Sequence, residues 1–545
     1  MNKITRLTIA ALCGSAILSM SGCNSLDQMP TNRFTDDTFW SSADRAQSVL
    51  NMAYNQMYSH DKIWQDESLS DNMYELKGNP DSHTIRAGLA NASLGLFESE
   101  WRWLYQGIKT TNVFMDKIDL VPDMDADAKA GMIAQIRFIR AYLYFRAVNF
   151  YGAVPFFLQD ISLEGSRTIA RTPKADIIPQ LVSELEDIIP VLPSRDELSA
   201  ARNGEITKAA AMVLLARIYL YNGDLYSDNM QKVADICDKL IHNQDEYGHY
   251  SLFDTATEHF SAYENLFMSA YEYNSEVILD YSAMETVKQW QKFNDMAPIS
   301  QGSRLVQLTP TRSLVDDYLM QNGKAIDEDG SGYRESDPYS NRDPRLLATV
   351  ACHGKPWKDM QNGSYSESTI NVTSGTDAFT QTGNSTNTGY FTRKYFDIDR
   401  GTEFRQWNNI IMMRYADVLL MYAEAKQAIN EFDSTVWDET IRPIRERARF
   451  DSDACAFPSS VTGDDMRDLI RRERRCELAI EGLRYYDILR WDITDTALSG
   501  EILSSIETGS KELDTYTFSE RDRLWSVPQS QLDLVESLRP NNPGY

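Results

Sequence analysis

Three glutamates, Glu473, Glu477 and Glu481, recur every four residues near the C-terminus, in the run RRERRCELAIEGLRYYDILRW of residues 471–491. Carboxylates this close together could do acid–base work. Arg474 and Arg484, however, stand three residues from Glu477 and Glu481, with Arg471 and Arg475 two residues either side of Glu473. On a helix that spacing makes a ladder of ion pairs along one face. Guanidinium neighbours keep a carboxyl ionised, whereas a general acid needs a raised pKa. The run therefore predicts a structural charge network and no catalytic centre. Gly482 offers a break, after which Tyr485, Tyr486, Ile488, Leu489 and Trp491 form an apolar stretch.

Other catalytic patterns are missing. The six histidines form no H-E-x-x-H, and neither a G-x-S-x-G elbow nor a P-loop occurs. Asp327–Gly332 (DEDGSG) has the look of a calcium loop, but it lacks the third acidic ligand and the bidentate glutamate of a full one. It reads as a polar turn, with a structural calcium ion as the alternative; no other cofactor and no metal site is expected. Two carboxylates for glycoside hydrolysis can converge from anywhere in a chain, and nothing here marks such a pair. A net charge of −26 argues against nucleic acid, which needs a basic stripe. Of the six cysteines, Cys237, Cys352, Cys455 and Cys476 are scattered without a C-x-x-C, so neither a disulfide framework nor a structural zinc is supported.

The elements that must position any site are mainly helical. Ser41-Ser42-Ala43-Asp44 has the form of a capping box before a helix through Tyr58. Helical spacing continues over Trp101–Ile118 and Ala128–Phe150. Residues 207–221 are apolar nearly all round, as a central buried helix should be. A turn at Gly223-Asp224 leads to a further helix through about Ile241, and Tyr415, Val418, Leu419, Tyr422, Ala425 and Ile429 repeat the pattern. Such paired helices look like tetratricopeptide-type hairpins, which must stack to bury their apolar faces. Between about 244 and 410 Gly, Ser, Thr, Asn and Pro rise and the periodicity fades, predicting a loop-rich inserted lobe with short strands.

The N-terminus carries Lys3 and Arg6, then a mostly apolar run from Leu7 to Met20 that is too short to span a bilayer. It ends in Met20-Ser21-Gly22-Cys23, which looks like a lipobox. Residues 1–22 thus read as a lipoprotein signal, with Cys23 the lipidated first residue of a chain anchored to a membrane and not embedded in it. LDQMP (Leu26–Pro30), NRDPRL (Asn341–Leu346), GYFTRKYFD (Gly389–Asp397) and RYADVLLMYAEA (Arg414–Ala425) follow in order before the 471–491 run. In these motifs the chain closely resembles the SusD/RagB family, surface glycan-binding lipoproteins that partner a TonB-dependent transporter.

The resemblance implies one SusD-like domain over residues 23–545. A tetratricopeptide-like helical platform spans about 35–243 and 411–495, and the ligand-facing lobe about 244–410. It implies an outer-membrane, lipid-anchored protein facing the cell exterior. Such a protein binds an oligosaccharide and passes it to a SusC-like TonB-dependent transporter, without catalysis. A peptide-capturing member of the same family and a surface glycoside hydrolase are the alternatives. In the family, ligand contacts come from the segment after the first helix and from the lobe. Sugars present apolar C–H faces and hydroxyl edges, which call for flat aromatics beside planar hydrogen-bonding groups. The chain has ten tryptophans and twenty-eight tyrosines. Trp64, Trp290 and Trp357, outside strongly periodic helix or at its edge, are the expected platforms, with Asp71, Asn72 and Arg86 as polar partners.

Overall fold

The computed structural model describes residues 39–545 apart from 79 and 362. The signal segment, Cys23 and the Leu26–Pro30 motif lie outside the described residues.

Long helices form where apolar spacing and caps coincide. The Ala126–Tyr151 helix starts where the Asp125 carboxylate accepts the Ala128 N–H at 2.9 Å, and it stops at Gly152, whose φ of 68° suits glycine. The Lys208–Tyr221 helix is capped by Thr207 and is buried on every side from Ala209 to Leu220, as its uniform apolarity requires. Successive neighbours pack in hairpins: Ala43–Met57 against Gly95–Lys117, the latter against Ala126–Tyr151, then Lys208–Tyr221 against Asn229–His242. Tyr415–Ala428 continues the stack and packs on Gly463–Glu477. The result is a mainly α, tetratricopeptide-like superhelix. Ser42 sits at the first helix's N-cap, but its side chain makes no cap bond. The residue three positions on is Arg45, where a capping box needs Glu or Gln.

The lobe is irregular, and its strands pair in two-stranded antiparallel ribbons. Two ribbons stitch it to the platform: Met73–Glu75 pairs with Leu308–Pro310, and Val277–Tyr281 with Ile410–Arg414. In the Asp327–Gly332 turn the Lys324 ammonium donates to the Asp329 carbonyl at 2.7 Å. Among the described residues no three His, Cys, Asp or Glu converge as metal ligands. The four described cysteines are buried free thiols.

The expected ion-pair ladder is corrected. The helix ends at Glu477, so Glu481 lies beyond it, and the three glutamates pair with distant partners instead of their helical neighbours. Glu473 meets Arg345 and Arg445, and Glu477 meets Arg345, Arg414 and Arg447. Glu481 meets Arg414 and Lys394, both at 2.6 Å. The arginines of the run turn the other way. Arg474 reaches Asp417 and Asp487, while Arg475 and Arg484 both grip Asp71. Burial pushes all three glutamates up, but the surrounding cations outweigh it and hold them below the usual carboxylate range. The network is buried, and it bolts the lobe and the segment after the first helix onto the platform.

Candidate functional site

A groove of about 340 Å³ runs along the junction of platform and lobe. The short Lys62–Ser68 helix and its cap bring Asp61, Trp64, Gln65 and Ser68 to one side, at helical spacing. Glu75 and Leu308 face each other across the ribbon that joins lobe to platform, and both line the groove. The far wall is the start of the Gly95–Lys117 helix with Asp81 and Ser82, and Lys292 enters from the lobe.

Local hydrogen bonds set this wall. Asp81 Oδ2 accepts the Leu96 N–H at 2.6 Å, so the carboxylate neutralises the positive end of that helix. A Cβ at Gly95 would stand 3.2 Å from the same oxygen, and glycine leaves that approach open. Glu75 accepts the Ser82 hydroxyl at 2.7 Å. Gln65 Nε2 donates to Glu100 at 3.0 Å. Burial pushes Glu100 up, but Arg146 and Lys62 beside it hold it at about 2. Gln65 is therefore aimed by a fixed, ionised acceptor. Lys292 pairs loosely with Asp295 at 3.5 Å.

The six expected sugar-contacting residues lie in the interior. Trp64, Trp290 and Trp357 are 1 %, 6 % and 0 % exposed. Trp64 lines the groove, but Trp290, Phe293 and Tyr395 surround its ring at 6.0, 6.5 and 6.0 Å. Trp290 donates its indole N–H to the Asn408 carbonyl at 2.9 Å. Trp357 lies edge-on to Phe396 and beneath the Arg393 guanidinium at 4.7 Å. Asp71 is clamped by Arg475 and Arg484, whose charges outweigh its burial and depress its pKa. Asn72 bridges Glu67 and Arg475. Arg86 donates to the Met73 carbonyl at 3.0 Å and covers Tyr516 at 4.2 Å. Apart from the edge of Trp64, none of the six reaches the groove, which corrects the expectation of exposed stacking platforms. A lobe this poor in aliphatic side chains uses its tryptophans as core.

The residues that the sequence reading passes over are Asp61, Gln65, Glu75, Asp81 and Lys292. A helical reading of 61–68 would have found the first two, since Asp61, Gln65 and Ser68 share a face while Ile63, Asp66 and Glu67 point inward. Nothing local marks Lys292, which only the fold brings there.

Acids suited to proton transfer lie elsewhere. Burial raises Glu67 to about 7, Glu272 to about 7 and Asp280 to about 6. None of the three lines the groove.

The family model described as "SusD family" matches residues 273–545, and one described as "Starch-binding associating with outer membrane" matches residues 25–220. SusD-like protein P2 of Formosa agariphila is 24% identical over 560 residues, covering 97% of this chain and 98% of its own. A SusD-like carbohydrate binding protein of Bacteroides fragilis has a solved structure that aligns with a TM-score of 0.79 at 25% identity, over 92% of this chain and 100% of that one. A laminarin binding SusD-like protein aligns at 0.67 and 20% identity, over 93% of this chain and 100% of that one, a likeness of fold. The buried signature network, the helical platform with its inserted lobe and the match over the C-terminal half agree: the chain belongs to the SusD family.

Proposed function

We propose that this protein is an outer-membrane lipoprotein, anchored through Cys23, that holds a neutral oligosaccharide in the platform–lobe groove and hands it to a TonB-dependent transporter. The observation that carries the reading is the groove's lining. Hydroxyl, amide and carboxylate groups of the platform, joined by the Lys292 ammonium from the lobe, converge on a space large enough for a few sugar rings, and sugar hydroxyls are satisfied by such acceptors and donors. Asp61, Glu75 and Asp81 outnumber Lys292, a balance that repels sulfated or uronate-rich chains and suits uncharged ones. The similarity to a carbohydrate binding and a laminarin binding SusD-like protein, and to a starch-binding family, points the same way.

The protein captures and does not hydrolyse. The carboxyls poised for general-acid work, Glu67, Glu272 and Asp280, stand outside the groove, and the first and last of them are buried. Calorimetry with the best neutral oligosaccharide from a glycan array tests the site. Asp61→Ala and Gln65→Ala each weaken binding by about two- to tenfold, the worth of one net hydrogen bond, while loss of the Gln65–Glu100 bond lowers Tm by no more than about 3 °C. Parent-like affinity in both variants would remove the groove as the site, and release of shortened products would replace capture by hydrolysis.

A further inference from the structure

A second cavity, of about 960 Å³, opens where helix ends converge on the platform, and it shares no residue with the groove. The C-terminal ends of Ala126–Tyr151 and Lys208–Tyr221 and the start of Asn229–His242 surround it, together with the Arg484–Arg490 helix. Much of its lining is aromatic and apolar. Tyr221 and Tyr486 stack at 5.8 Å and 18°, with Leu489 and Leu524 beside them.

Arg471, first residue of the C-terminal charge run, lines this cavity and not the network. Its guanidinium lies 4.8 Å over the Trp491 ring, and its Nε is buried without a hydrogen-bond partner. Glu424 also lines the cavity, but it is already spent on others: Arg490 takes both of its oxygens, at 2.6 and 2.7 Å, and the Trp491 N–H takes one at 2.6 Å. The remaining charged residues of the lining pair among themselves or with neighbours, Lys174 with Asp224 at 3.0 Å and Arg523 with Glu520 at 2.7 Å. Arg471 is left with no carboxylate partner among the described residues. Burial lowers its pKa, with Glu424 pulling only partly the other way.

We propose that this cavity binds the carboxylate end of a polypeptide whose last side chains are apolar. A guanidinium stacked on an aromatic face keeps its edge N–H groups free for two parallel bonds to a carboxylate. A half-buried cation without a partner is costly, and an incoming carboxylate relieves that cost. The volume suits a few residues, and the tyrosine and leucine surfaces would take their side chains. A uronic sugar also carries a carboxylate, but it has no apolar side chains to cover the Tyr221, Tyr486, Leu489 and Leu524 surfaces.

The test uses N-acetyl-Ala-Ala-Leu-Phe with a free C-terminus and the same peptide amidated, titrated into the purified protein by calorimetry. The free acid is expected to bind and the amide to bind at least tenfold more weakly. Arg471→Met removes this preference, while the neutral-glycan affinity of the groove stays as in the parent. Equal binding of acid and amide overturns the proposal, as does no saturable binding of either. Tighter binding of a glucuronate-terminated oligosaccharide, lost in Arg471→Met, also overturns it. If Arg471→Met fails to fold, the acid–amide comparison on the parent decides alone.

Discussion

Replacing Glu477 by glutamine removes one charge from the most crowded point of the buried network and keeps the side chain's shape. Glu477 is 0 % exposed and accepts from Arg345 at 2.8 Å, from Arg414 at 2.6 Å and from Arg447. Asp343, Glu473, Glu276 and Glu481 still serve these guanidiniums, yet one negative charge is gone from a site closed to water. Removing one partner of a buried pair costs about 3–5 kcal/mol. Unfolding entropy of ~2.1 cal/mol/K per residue amounts to ~1 kcal/mol/K for a chain of this size, so Tm falls by about 3–5 °C at pH 7. Burial pushes Glu477 up, but Arg447, Arg414 and Arg345 outweigh it and hold the carboxyl well below its ordinary value. A carboxylate depressed in this way contributes stability above its unfolded pKa and loses it as pH falls through the folded one. The parent therefore loses stability from about pH 4.5 downward, and the variant loses less. Scanning calorimetry from pH 7 to pH 3 measures both effects. An unchanged Tm at pH 7 would refute the reasoning, and an unchanged Tm with lost glycan binding would move Glu477 from scaffold to site.

Trp357→Ala empties a fully buried position, so it lowers stability by about 3–5 kcal/mol. Folded variant protein still binds glycan within twofold of the parent in calorimetry, and selective loss of binding would contradict the packing role. Glu67 is an acid with a raised folded pKa, so its contribution is present below the unfolded pKa and lost as pH rises through about 7. Glu67→Gln should accordingly exceed the parent in urea denaturation at pH 8, by about 3 kcal/mol, and converge with it near pH 4. Cys23→Ala removes the acyl anchor, whose burial contributes ~0.8 kcal/mol per CH₂. In detergent partitioning that variant leaves the membrane fraction, and its retention in cells lacking the transporter would defeat the lipoprotein reading.

Much of the platform was legible because its signals are local. Thr207 before an all-apolar run, and the spacing from Tyr415 to Ala425, place two core helices to within a few residues. The charge run shows where locality ends. Its spacing fits an intrahelical ladder, but Arg345, Arg414, Arg445 and Arg447 arrive from other elements, and buried guanidiniums take carboxylates in preference to leaving them paired on a solvated face. The lobe's pairing was illegible, because strands of two to six residues carry no usable alternation. Tryptophans outside periodic helix read as surface platforms, yet in a lobe poor in aliphatics they become its core. The groove needed the structure, since the pairing of Glu75 with Leu308 brings positions more than two hundred residues apart into one wall.

A crystal structure of the protein soaked with the neutral oligosaccharide that binds best tests the central claim most directly. The account predicts sugar density along the platform–lobe junction, with hydroxyls within hydrogen-bonding distance of Asp61, Gln65 and Lys292. Density at full occupancy elsewhere, with the groove holding only water, would contradict it.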